Sequence, residues 1–275
     1  MATIAGKFVG REPRSDALSG TPRAHALDRW IFVFMAAWFI AIVLTGFIPD
    51  SLEKIAAVKA GERPPFPLVL HFHAVLMGSF LLLLLTQTWL MATGRRARHM
   101  QLGMLGFILA AALVVVGFIL VPTLHYALWD QVRAAPAGAK RDDLLLTVRV
   151  WENIMLVQLR IGILFALFLT IGARARTGNA GLHKRMMILA TVMALPAGID
   201  RIEWLPKTFP GSPLSIDLYT IAAICPMLVW DLVRNRRLHE AYVIWFAVTI
   251  PFAVVVNLLW DTPWWHATAE RILGV

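Results

Sequence analysis

The sequence predicts an all-α, polytopic membrane bundle of seven spanning helices, with the N-terminus in the cytoplasm and the C-terminus outside. Three observations predict it: an extreme apolar composition, seven separated apolar runs, and a lopsided distribution of lysine and arginine. Of the 275 residues, 59% are hydrophobic and only 16% charged, and the mean hydropathy is +0.68. Too little polar surface exists to cover a soluble domain of this size, so lipid must cover the rest.

A span needs about 20 mostly apolar residues to cross roughly 30 Å of hydrocarbon. Seven stretches qualify: 30–48, 68–92, 101–121, 150–172, 184–204, 216–233 and 240–260. Pro196, Asp200 and Arg201 interrupt the fifth, and losing it would return the C-terminus to the cytoplasm. Residues 1–29 are polar and carry Lys7, Arg11, Arg14, Arg23 and Arg29. No small-residue cleavage site follows the first apolar run, so this stretch reads as a cytoplasmic tail ahead of a transmembrane domain over 30–275.

Orientation follows from the loops. With the N-terminus inside, the cytoplasmic segments hold the five tail cations, Arg95, Arg96 and Arg98, then Arg174, Arg176, Lys184 and Arg185, then Arg234, Arg236 and Arg237. That is fifteen of the 26 lysines and arginines, against ten outside, with Arg160 inside the fourth span. The acids are distributed the other way, five inside and twelve outside. The formal charge of +9 is thus a topological signal, and it does not imply a nucleic-acid partner. Short cytoplasmic connections make neighbouring helices antiparallel hairpins. The outer segments 49–67, 122–149 and 205–215 are longer, and 122–149 contains an Ala-Ala-Pro-Ala-Gly stretch at Ala134–Gly138 that reads as a mobile break. Tryptophans at 30, 129, 204, 230, 260, 264 and 265 mark the interfaces. The single cysteine, Cys225, allows no disulfide framework.

Histidine is the first candidate for chemistry, since neutral imidazole ligates haem iron and other transition metals. His99 and His183 start the third and fifth spans on the cytoplasmic side; His71, His73, His125 and His266 lie toward the outside. On the third span His99, Gly103, Gly106, Ala110 and Gly117 share one stripe. Small residues there permit close approach of another helix or of a flat macrocycle. His71 and His73 point about 200° apart on a regular helix, so they share a metal only if that stretch, after Pro64, Pro65 and Pro67, is extended. His73 shares a stripe with Met77, Phe80, Leu84 and Gln87, which turns it toward the bundle. In the fourth span Arg149, Glu152, Asn153 and Arg160 fall on one face. Arg160, counted as near the midplane, needs a buried partner: Glu152, Asp200, a ligand carboxylate or water. Gln87, Glu152, Arg160 and Asp200 are therefore expected to form a buried polar network. The seventh span has no lysine for a retinal Schiff base. Zinc-hydrolase spacing, phosphate-binding glycine loops and the broken repeats of secondary transporters are also missing.

The stretch from Leu70 through His71, His73 and Met77, followed by Gln87, Trp89, Gly94, Arg95, His99 and Gly103, resembles a large set of uncharacterised bacterial multi-spanning membrane proteins. So do His183-Lys184-Arg185-Met186 through Arg201, and Trp230-Asp231 through His239. The likeness covers about 200 residues. The chain departs from it after His99, where two arginines are usual, and at Phe80, where tryptophan is common. A weaker likeness is to the diheme, ascorbate-reducible b-type membrane cytochromes, in which histidines of the second and fourth helices pair, and those of the third and fifth. That resemblance implies haem b between His99 and His183, with the Gly103/Gly106 face against the macrocycle and Arg95, Arg96, Arg98, Lys184 and Arg185 near its propionates. The second pair is incomplete, because the fourth span has no histidine. Three readings follow: a haem-binding electron-transfer protein, a non-catalytic subunit of a membrane complex, or a non-haem metal site outside, built from His71, His73 and His125 with Glu152.

Overall fold

A computed structural model describes residues 16–19 and 25–275, so most of the expected tail over 1–29 lies outside the described residues. After a short 3-10 turn at Ala17–Ser19 come nine helices among the described residues: α1 (Ala26–Lys59), α2 (Leu68–Ala92), α3 (Arg96–Ala134), α4 (Ala139–Ala175), α5 (Ala180–Val192), α6 (Pro196–Ile199), α7 (Leu214–Asn235), α8 (Glu240–Leu259) and α9 (Pro263–Leu273). No strand occurs among these residues.

Six helices, α1–α4, α7 and α8, are long and apolar enough to cross a membrane. Their starts and stops follow local chemistry. The His25 amide donates to the Asp28 carboxylate at 2.7 Å and closes the first turn of α1. Pro67 precedes α2, Gly94 at φ 76° separates α2 from α3, and the Asn179 side chain caps α5 by accepting from the Leu182 amide. Outward-facing leucines, isoleucines, valines and phenylalanines, among them Leu68, Phe72, Leu82, Ile108, Val115 and Phe118, are exposed along α2 and α3. These are side chains that a bilayer, not water, would cover.

The fifth expected span is not one helix. Pro196 has no amide hydrogen and cannot continue α5, so the chain turns through Met193–Leu195 and resumes as the four-residue α6. The pair α5–α6 nevertheless forms the centre of the bundle. It touches α1, α4, α7 and α8, and Leu182, Met186, Ile188, Leu189, Ala190 and Val192 are essentially inaccessible. One end of the segment lies at the start of α1, where the Lys184 ammonium sits over the Phe32 ring. The other lies beside the second half of α1, where Arg201 meets Asp50 at 3.2 Å. Gly46 makes that approach possible, since a Cβ there would stand 2.0 Å from the Gly198 carbonyl oxygen.

Three connecting turns, 93–95, 176–179 and 236–239, gather at one end of the bundle with Arg95, Arg96, Arg98, Arg174, Arg176 and Arg237. This is called the basic end below. At the opposite end the expected loops are largely helical. α1 runs on to Lys59, and the segment 122–149 is helix except at Ala135–Gly138, which confines the break expected there to four residues. An apolar-run rule sees only the stretch that lipid covers. The polar but helix-favouring ends of α3 and α4 escape it. α9 was not foreseen either. It lies across α4 and buries Trp265, Ala269 and Leu273 in a second, smaller core with Met155, Leu156 and Trp260. The Trp265 indole donates to the Glu152 carbonyl at 2.8 Å and the Tyr126 hydroxyl to the Leu273 carbonyl at 2.6 Å.

Candidate functional site

His99, in the first turn of α3, and His183, in the first turn of α5, meet at the basic end with ring centroids 6.5 Å apart and planes at 75°. The His183 Nδ1 lies 2.8 Å from the Gly172 carbonyl of α4. A carbonyl only accepts, so Nδ1 carries the proton there and a neutral ring keeps its lone pair on Nε2. Gly172 is what permits this contact. A Cβ at that position would stand 2.3 Å from the end of the Met187 side chain and 3.0 Å from the Met186 Cβ, so a larger residue would have to displace the Met187 side chain and crowd α5. The His99 Nδ1 is buried and unpartnered, as are both amide atoms of Gln87 on α2. Buried polar atoms are nearly always paired, so these three leave this end of the bundle able to take a further polar contact.

Gly103 and Gly106 do line a close approach, but to α2: a Cβ at Gly103 would meet the Gln87 amide nitrogen at 3.8 Å, and one at Gly106 the Leu83 side chain at 3.5 Å. Further along, the bundle axis is filled, with Phe80 and Phe165 packed edge to face at 5.4 Å. Of the cations expected beside the histidines, Arg185 is fully committed elsewhere. Its guanidinium is completely buried, held by Asp16 at 2.8 and 3.0 Å and by Asp231 at 2.5 and 3.0 Å. Lys184 donates to the Leu18 carbonyl. Arg95, Arg96 and Arg98 line an exposed recess at the α2–α3 turn.

The ionic cluster around Arg185 was not read from the sequence, which placed this residue among surface cations. Asn235 joins it by donating to Asp231 at 2.6 Å and by accepting from the Ala17 amide at 2.9 Å. Close by, Asp28 accepts from Arg234 and from the Trp230 indole at 2.9 and 3.0 Å. The available signal was an aspartate at 231 in an otherwise apolar run, one residue after a tryptophan. His239, in the α7–α8 turn, accepts the Ala241 amide proton on Nδ1. Burial and the neighbouring Arg185 charge push its pKa down to about 4, so it is neutral at pH 7.

At the opposite end the expected network of Gln87, Glu152, Arg160 and Asp200 does not assemble. Arg160 pairs with Asp217 on α7, at 2.5 Å. Glu152 instead meets His266 at 2.6 Å. The Asp200 side chain reaches neither, and its Oδ1 is buried without a partner. Gln87 stands at the basic end. The reason is depth. Asp217 lies in the first turn of α7 and its neighbour Asn257 in the last turn of α8, so Arg160 stands near the end of the bundle and not at its middle. The long extension of α4 misled a count from residue 150.

The residues of the expected outer metal site are not gathered around one point. α2 is regular from Leu68, so His71 and His73 diverge. His71 packs on the Phe66 ring. His73 keeps a buried Nδ1 without a partner. His125 has carbonyls at both nitrogens, Val121 at 2.8 Å and Trp151 at 3.1 Å. Among the described residues no three of histidine, cysteine, aspartate and glutamate form a metal-holding group. No protein-family model matches the sequence, and no curated protein or solved structure is significantly similar to it.

Proposed function

We propose that the protein is a seven-span, b-type haem protein of the bacterial inner membrane that carries electrons at its cytoplasmic side, with His99 and His183 as axial ligands. The observation that carries this reading is the spacing of the two rings. Imidazoles on opposite sides of one iron, each nitrogen about 2 Å from the metal, have centroids about 6 Å apart, and the pair here stands at 6.5 Å. The hydrogen bond from His183 Nδ1 to Gly172 supports the same reading, because it fixes the tautomer that leaves Nε2 for a metal. Bound haem would supply one-electron chemistry. The chain's own residues orient the ligands, exclude water with Leu84, Phe80 and Phe165, and offer Arg95, Arg96 and Arg98 to the propionates.

The seventh crossing is supported by the course of α5–α6, which accompanies α1 from Phe32 to Asp50, about 18 residues or ~27 Å of helix rise. With that crossing counted, the basic end is cytoplasmic and α9 lies outside. The ligand assignment is tested by the visible spectrum of single variants. His99→Ala and His183→Ala should each abolish a low-spin b-type spectrum, while His125→Ala, at a ring that faces the Val121 and Trp151 carbonyls, should leave it intact. Retention of the spectrum in either of the first two variants would sink the assignment.

A further inference from the structure

A second buried group in the bundle has incomplete hydrogen bonding. The Arg160 guanidinium has a side-chain exposure of 2% and gives one amino group to Asp217 Oδ1. Asp217 Oδ2 accepts from Asn257 at 3.2 Å, and Asn257 in turn accepts from Ser212 at 3.4 Å. The Arg160 Nε and Nη1 groups have no acceptor. A guanidinium has five N–H donors and does not deprotonate, so bare donors inside an apolar bundle are costly until an acceptor arrives. Nothing in the described chain supplies it.

Charge selects the kind of acceptor. Arg160 and Asp217 already neutralise each other, so a further anion would be buried without compensation. An uncharged oxygen fits. Position selects the phase it comes from. Asp217 is 13% exposed, stands about one turn inside the end of α7, and is flanked there by Leu214 and Leu218, both exposed. Asp217, at the edge of this group, is thus bordered by side chains that belong in lipid. A flat apolar body with carbonyl oxygens at its edge, and no charge, meets all of these conditions.

We propose that Arg160, Asp217 and Asn257 form the headgroup site of a lipid-soluble quinone, whose ring carbonyl accepts from Arg160 Nε and Nη1. This site is separate from the histidine pair and does not rest on the haem reading. The test is a titration of the purified, delipidated full-length protein with decylubiquinone, read by quenching of tryptophan fluorescence, since Trp260 follows Asn257 by three residues. Wild type should quench saturably. The double variant Arg160→Met/Asp217→Leu removes both charges together, which a bundle tolerates better than the loss of one, and should weaken binding at least tenfold with its circular dichroism retained. Arg160→Lys, which keeps the charge but loses the Nε edge, should also bind more weakly. His99→Ala should bind like wild type, which separates this site from the haem. Equal quenching by wild type and the double variant would overturn the proposal. Displacement of the quinone by an equimolar amount of phosphatidylglycerol would also overturn it, by giving the donors to a lipid ester.

Discussion

At the scale of residues, this protein separates its charged groups into pairs that complete one another and polar groups that do not. Arg185 lies between Asp16 and Asp231 with its donors occupied. Buried charges are tolerated when matched in this way. His239 sits beside that cluster as a neutral ring, and this gives a pH dependence with a definite sign. Its folded-state pKa, about 4, is below the ordinary histidine value near 6.5. The contribution of the neutral ring to stability is therefore complete above pH 6.5 and is lost as pH falls from 6.5 toward 4. The melting temperature in detergent should fall across that window, and the fall should be smaller in His239→Asn, which keeps an acceptor for the Ala241 amide. Identical pH profiles for the two proteins would show that His239 already carries its proton near neutrality. Much of this scale was legible in part. The sequence picked out His99, His183 and Arg160 as residues needing explanation. It did not pair Arg160 with Asp217 or Arg185 with Asp231, because partners on distant helices leave no local spacing to read.

At the scale of elements, the controlling feature is the central segment α5–α6. Its break at Pro196 was visible as an interruption, and the structure turns that interruption into a close backbone approach between Gly46 and Gly198. A side chain at 46 would strike backbone, which cannot rotate away. Gly46→Val should therefore lower the melting temperature by several degrees, whereas Gly117→Ala, on open space, should leave it within a degree or two. Equal effects would mean that α1 and α6 do not meet as closely as described. The span positions were the most legible part of the chain, since α2 and α8 match their apolar runs almost to the residue. Helix ends outside the apolar stretch were not legible. Nor was α9, whose burial depends on docking to Glu152 and Tyr126 more than on its own composition.

At the scale of the whole molecule, the arrangement is a ring of long helices around a short broken one, with a basic end and an end capped by α9. The proposed orientation rests on fifteen lysines and arginines assigned to one side against ten assigned to the other, four of the fifteen lying outside the described residues. A reporter active only outside the cytoplasm should give signal when fused after Val275 and none when placed in the α4–α5 turn. The reverse pattern would invert the bundle. The proposed function was legible only as a pair of histidines at equal depth. The sequence could not say that they would face each other, because that depends on α4 standing between α3 and α5 with a glycine at 172.

The haem claim is tested most directly by the pyridine haemochrome assay on the purified protein, with haem b counted per chain. The Phe80–Phe165 contact fills the axis beyond the histidine pair and the fourth span offers no second histidine ligand, so the expected count is one. A preparation from haem-replete cells that contains none, or that contains two per chain, would contradict the account.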